Sequence, residues 1–226
     1  MRAGFGSSVY VCVCVAYRTV TRRIGSGRGQ LPSSQRLEAF SDGVVAIAIT
    51  CLVLDLGAPV GRGTSLTDLI AQWTSYLAYL AAFLVIGAVW LTHHALFSRV
   101  RRSSNRLMLR NLLLLLPTCV VPCGTAVLSS TFRVGNRADQ FTGVIFFAII
   151  SLMHSLVWMA LTRYVSNAPQ PLHFPADRGD IRRELRTQPS ALVPPIIAMG
   201  LAVVDPLWGL IALALSPVYN LVVVRR

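Results

Sequence analysis

Ser41 and Asp42 stand at the head of a largely apolar run, Val44 to Leu54, and Asp55 closes it. Ionisable groups at the end of a long apolar segment are costly unless they are paired or face a polar cavity. Two readings are open for the Ser41–Asp42 pair: an interhelical hydrogen-bond network, or a cap that accepts from the first amides of a helix. His93 and His94 close a second apolar run, and Asn111 lies early in a third. Paired histidines at such a position are ordinarily interface residues or hydrogen-bonded partners, and a metal site is not expected. His154 sits inside a fourth run, as a core or lipid-facing residue. Cys51, Cys119 and Cys123 lie within apolar runs, where thiols behave as small hydrophobes. Cys12-x-Cys14 has no second pair, so it does not describe a zinc site. The chain has no Gly-x-Ser-x-Gly, no His-Glu-x-x-His, no phosphate loop and no paired carboxylates within one apolar run. Its nine acids leave little general acid–base machinery, so no enzyme and no cofactor is expected.

The composition says what must position these groups. The chain has 226 residues, 54% hydrophobic and 13% charged, with a mean hydropathy of +0.60. Soluble domains carry roughly 25% charged residues, so this chain has too little polar surface to cover a globule in water. Six runs approach the ~20 residues that a membrane-spanning helix needs: 40–56, 77–97, 107–128, 141–161, 191–204 and 207–224. The fifth is short and begins at Pro194-Pro195, which suit a first helical turn. Asp205-Pro206 is expected to turn the chain into the sixth. The fold class is therefore all-α, an integral membrane protein with six transmembrane helices per subunit.

All 21 cationic residues are arginine, and the formal charge is +12. Such a charge is compatible with nucleic-acid binding, but these arginines lie between apolar runs, so no nucleic-acid partner is expected. With both termini cytoplasmic, eighteen of the arginines fall inside and Arg62, Arg133 and Arg137 outside. That is the bias of the positive-inside rule, and it places the chain as a multi-pass protein of the cell membrane. Residues 1–35 are expected to form a disordered basic tail and 36–226 the membrane domain. The Pro- and Arg-rich stretch 165–188 is expected to be a loop on the cytoplasmic surface.

Helical phase divides the first span. At ~100° per residue, Phe40, Gly43, Ile47, Cys51 and Leu54 fall on one stripe, with Thr50 at its edge. Glu38, Asp42, Val45 and Ile49 fall on another. From periodicity alone, the Ile47 stripe reads as helix packing, lipid contact or the lining of a pathway, and Asp42 points away from it.

The segment Arg36-x-x-x-Phe40-Ser41-Asp42-Gly43, followed by Ala46-Ile-Ala-Ile-Thr50 and ending at Leu54-Asp55, resembles the first helix of the transmembrane protein 175 potassium channels. Trp90-Leu-Thr-His93-His94, Asn111 and the Pro-rich start of the fifth span agree with it. The resemblance runs from about Arg36 to Val224 and follows the single-repeat prokaryotic form. It implies a homotetramer in the lipid bilayer with four first helices around a central pore. These channels are similar in lacking the Thr-Val-Gly-Tyr-Gly filter of ordinary potassium channels. By position, Ile47 matches the isoleucine constriction, Thr50 a hydroxyl-bearing layer and Leu54 a further apolar layer. Cys51 stands where the family usually has leucine. The motif also implies a buried network joining Ser41, Asp42, Asn111, a histidine of the His93–His94 pair and Arg36, supporting the pore without lining it.

Elementary physics gives the same groups a coherent task. A ring of isoleucines excludes water and can gate by dewetting. Threonine hydroxyls beside it offer oxygens to a partly dehydrated cation, and a ring of Asp55 carboxylates concentrates cations at the external mouth. The expected function is passive conduction of potassium ions. The alternatives are a proton-permeable or weakly selective cation channel, or a proton-coupled small-solute transporter using Asp42 and the histidines. A transporter favours broken helices and inverted repeats, and neither is evident in the sequence.

Overall fold

The computed structural model describes residues 34–54, 70, 72–167 and 177–223, all within the unit Ser33–Arg226. Asp55, Arg62, the tail up to residue 33 and residues 168–176 lie outside the described residues. The described residues are predominantly helical and contain no strand. The helices are α1 (Ser34–Leu54), α2 (Trp73–Phe97), α3 (Asn105–Val134), α4 (Arg137–Asn167), α5 (Asp177–Thr187), α6 (Val193–Val204) and α7 (Pro206–Val223). A 3-10 turn, Gln188–Leu192, joins α5 to α6.

Each junction has a local cause. Ser104 caps α3, its Oγ accepting from the Leu107 amide at 3.2 Å. Between α3 and α4, Asn136 Oδ1 accepts from the Ala138 and Asp139 amides. The Asp139 carboxylate in turn accepts from the Asn136 amide at 3.0 Å. This reciprocal pairing satisfies donors that the first turn of a helix leaves free, and it folds α3 and α4 into a tight hairpin. Asp205, in extended conformation, caps α7 by accepting from the Leu207 amide at 2.8 Å, with Pro206 opening the helix. The expected turn at Asp205-Pro206 is thus present. Arg137 donates to the Val204 carbonyl, tying the start of α4 to the end of α6.

Among the described residues, five segments are long and apolar enough to cross a membrane: Ser34–Leu54, Trp73–Phe97, Asn105–Val134, Arg137–Asn167 and Gly179–Val204. The last differs from the expected run 191–204, because helix begins upstream of it. The stretch expected as a loop instead holds α5, whose Ile181 is fully buried while Arg182, Arg183 and Arg186 are exposed. Two apolar side chains four residues apart, Ile181 and Leu185, give only a short sequence signal among charges; burial of Ile181 in the cluster that holds Phe97, Leu107 and Leu161 supplies the rest.

Packing concentrates in two apolar clusters. One joins Leu52, Ile86, Val121, Phe147 and Leu210, and the other joins Leu37, Phe97, Leu107, Leu161 and Ile181. Helices approach closely where side chains are small, as is general in bilayers. Ala78, Ala81 and Ala82 of α2 are buried. At Gly209 of α7 a Cβ would lie 2.9 Å from the Ala198 carbonyl oxygen and 2.9 Å from Ala202 Cβ of α6. Pro217 deprives the Leu213 carbonyl of its usual amide donor, and the adjacent Ser216 Oγ donates to that oxygen at 2.8 Å.

Candidate functional site: a bare helix face and the polar contacts behind it

Helix α1 has two unlike faces. Ser34, Leu37, Ser41, Val45, Ala48 and Leu52 are buried, and their three- and four-residue spacing draws one stripe along the helix. Arg36, Phe40, Gly43, Ile47, Thr50 and Leu54 draw the opposite stripe and are exposed, Ile47 at 65% and Leu54 at 77%. Cys51, on the same stripe by phase, is half-buried, whereas Thr50 is exposed with Ile47 and Leu54. The bare face of α3 carries Leu109, Leu112, Leu113 and Leu116, a run of large side chains suited to lipid. The α1 face instead alternates large side chains with Gly43, Ala46 and Thr50.

The Thr50 hydroxyl is oriented. Its Oγ1–H donates to the Ile47 carbonyl at 2.8 Å. A hydroxyl has one proton and two lone pairs, so with the proton engaged on its own helix this group can only accept from whatever faces it.

Behind this face, polar side chains of three helices form a directed chain. Ser41 Oγ donates to the Leu37 carbonyl at 2.9 Å, which uses its only proton. It therefore accepts from Asn111 Nδ2 at 2.8 Å. That turns Asn111 Oδ1 toward His93 Nε2, 2.8 Å away, so the histidine donates. Ser41, His93 and Asn111 are at most 2% exposed. The His93 ring also stacks on Phe97, with centroids 4.2 Å apart.

A second set of contacts runs beside the first. Trp90 Nε1–H donates to Asp42 Oδ1 at 3.0 Å, and His94 Nδ1 lies 2.6 Å from Glu38 Oε1. The Glu38 oxygen is not aligned with a ring N–H, so this second contact acts through charge when His94 is protonated.

The network implied by the motif is thus divided. Ser41, Asn111 and His93 form the buried chain, Asp42 and His94 join α1 to α2 separately, and Arg36 is exposed outside both. Sequence reasoning did not assign Trp90 and Glu38 to the network. Their signal was available in spacing: Glu38 and Asp42 are four residues apart on α1, as are Trp90 and His94 on α2, so each pair lies on one face. Among the described residues, no three of His, Cys, Asp and Glu gather as metal ligands.

Comparison with known proteins bears on this arrangement. Residues 36–122 match the family model described as the endosomal/lysosomal potassium channel TMEM175. A potassium channel of Streptomyces collinus is 44% identical over 135 residues, covering 58% of this chain and 65% of the relative. A potassium channel of Chamaesiphon minutus is 36% identical over 150 residues, 65% of this chain and 72% of the relative. The mouse endosomal/lysosomal proton channel TMEM175 is 31% identical over 153 residues, but the match spans only 30% of its length. Among solved structures, a lysosomal potassium-selective channel TMEM175 homolog from Chamaesiphon minutus superposes with a TM-score of 0.72 at 27% identity. That match covers 85% of this chain and 98% of the other.

Proposed function

The chain belongs to the TMEM175 channel family, and from that premise we propose that it conducts potassium ions passively through a pore lined by the bare face of α1. Four subunits surround the axis, so Ile47 forms a hydrophobic constriction, Thr50 a layer of hydroxyls and Leu54 a further apolar layer. Cys51 flanks these layers, and Asp55 carries negative charge at the external mouth. Six crossings per subunit, with α6 and α7 as the last two, leave both termini in the cytoplasm of a cell whose plasma membrane holds the channel. Residues 1–35 precede the channel domain as a basic tail. Helix α6, 12 residues long, extends only about 18 Å at 1.5 Å per residue, so the 3-10 turn and the end of α5 complete its crossing.

The observation that carries this reading is the Thr50–Ile47 hydrogen bond. It leaves acceptor lone pairs, and no free hydroxyl donor, at the Thr50 layer of the exposed face. A ring of such oxygens favours a partly dehydrated cation and offers nothing to an anion, without the trapping effect of a full charge. The Ser41–Asn111–His93 chain and the Asp42–Trp90 bond support the pore by holding α1 against α2 and α3.

The test is potassium flux from proteoliposomes, comparing wild type with Ile47→Asn. Wild type should conduct, and the variant, with a hydrated constriction, should conduct more and discriminate less between potassium and sodium. If wild type passes no monovalent cation, the channel reading fails. If Ile47→Asn is indistinguishable from wild type, the assignment of the pore to this face fails.

The name carried by the mouse relative favours a second reading, proton permeation through the same pore. A pH-sensitive dye inside the same liposomes separates the two. Acidification that persists with potassium replaced by an impermeant cation supports the proton reading.

A further inference from the structure

A second site lies away from α1. Thr92, Ser151, His154, Ser155, Gln188 and Asn220 line a cavity of about 90 Å³ between α2, α4, α6, α7 and the 3-10 turn. Val89, Trp158 and Pro195 complete its apolar wall, and no residue of α1 or α3 contributes to the lining. His154 Nδ1, both amide atoms of Gln188 and Asn220 Oδ1 are buried and find no hydrogen-bond partner among the described residues. Gln188 is 3% exposed.

Buried polar groups are nearly always paired, so four unpaired polar atoms on three side chains of one cavity describe groups that await an occupant. Apolar walls with a few convergent polar groups are also the usual form of a small-molecule site. The polar groups define the occupant's chemistry. Gln188 offers an N–H donor and a C=O acceptor in one plane, Asn220 adds an acceptor, and His154 Nδ1 accepts or donates according to tautomer. No carboxylate or guanidinium lines the cavity, so nothing there compensates a charged ligand. In size it falls below the cavity of about 150 Å³ that holds benzene.

We propose that the cavity formed by His154, Gln188 and Asn220 is a binding site for a small uncharged molecule with an amide-like edge, a primary carboxamide of four or five non-hydrogen atoms. The carboxamide pairs edge to edge with Gln188, and its remaining polar atoms meet Asn220 and His154. This site does not depend on the pore assignment, because its occupancy is read without ion flux.

Acetamide is the probe, and saturation-transfer NMR on the full-length protein in detergent micelles is the readout. Wild type should give saturable transfer with a dissociation constant on the order of millimolar. Gln188→Leu and Asn220→Leu should each weaken it tenfold or more, while Ser130→Ala, on an exposed turn of α3, should leave it unchanged. Acetamide should also raise the thermal midpoint of wild type and not that of Asn220→Leu, so the proposal remains testable if the Gln188 variant does not fold. No saturable transfer to wild type, or equal transfer to wild type and both variants, overturns the proposal. So does a cavity that holds ordered water and excludes acetamide.

Discussion

Trp90 Nε1–H donates to Asp42 Oδ1 at 3.0 Å, one helical turn along both helices from the contact between His94 and Glu38. The two contacts are rungs between α1 and α2, and their shared four-residue step fixes the register of the helix that carries Ile47 and Thr50. Asp42 thus serves as an acceptor for a neighbouring helix.

The Asp42 rung should survive loss of charge. Asp42→Asn keeps the Oδ1 acceptor, so its thermal midpoint in detergent should match wild type. Asp42→Leu leaves the Trp90 indole N–H without its partner and should cost at most about 1 kcal/mol. Equal destabilisation by both variants would mean that the charge, not the hydrogen bond, matters.

The buried chain should show partner dependence. Asn111→Leu leaves the His93 N–H without an acceptor and should cost about 1–3 kcal/mol. Ser41 loses less, because its own proton still reaches the Leu37 carbonyl. Adding His93→Leu should recover part of the loss, since an apolar pair has no unmet donor. A double variant less stable than the sum of the single effects contradicts this account.

Thr50→Val keeps the β-branched shape and removes the outward lone pairs. Potassium permeability relative to sodium should fall roughly tenfold, equivalent to about 1.4 kcal/mol at the barrier, with little change in thermal midpoint. Unaltered reversal potentials in mixed potassium and sodium would remove Thr50 from the conduction path.

Close approach of α6 and α7 should make Gly209 intolerant of a side chain. With a carbonyl oxygen and a Cβ both 2.9 Å from the position of an added Cβ, Gly209→Ala should destabilise by about 1–3 kcal/mol. A midpoint equal to wild type would show that these helices separate easily.

Leu54→Cys, in a chain whose five native cysteines are replaced, should crosslink between subunits under mild oxidation and give bands up to the tetramer with a short bifunctional reagent. Products that stop at the dimer exclude four-fold assembly.

The sequence made the division of α1 legible because its two stripes differ in chemistry as well as phase. Asp42 separates from Ile47 at ~100° per residue, and the structure keeps them apart, with Asp42 turned to Trp90. Asn111 and His93 were recognisable as polar groups in apolar runs, but which atoms meet depends on helix rotation, which a single chain of letters does not specify. Trp90 was overlooked as a donor because an indole in an apolar run also fits lipid or core. Helix α5 was missed for a different reason: its buried anchor, Ile181, is recognisable only once Phe97, Leu107 and Leu161 gather into a cluster to receive it. The cavity beside Gln188 gave no signal, since its lining comes from five elements spread along the chain.

The inward turn of the Thr50 proton also bears on how subunits come together. The hydroxyl donor on the α1 stripe is satisfied within its own helix, so a solitary subunit can present Ile47, Thr50 and Leu54 to acyl chains with no donor left unmet. In the proposed four-subunit assembly, association is a lateral equilibrium in two dimensions, drawn by packing between apolar faces, and the assembled fraction should rise with subunit density in the bilayer.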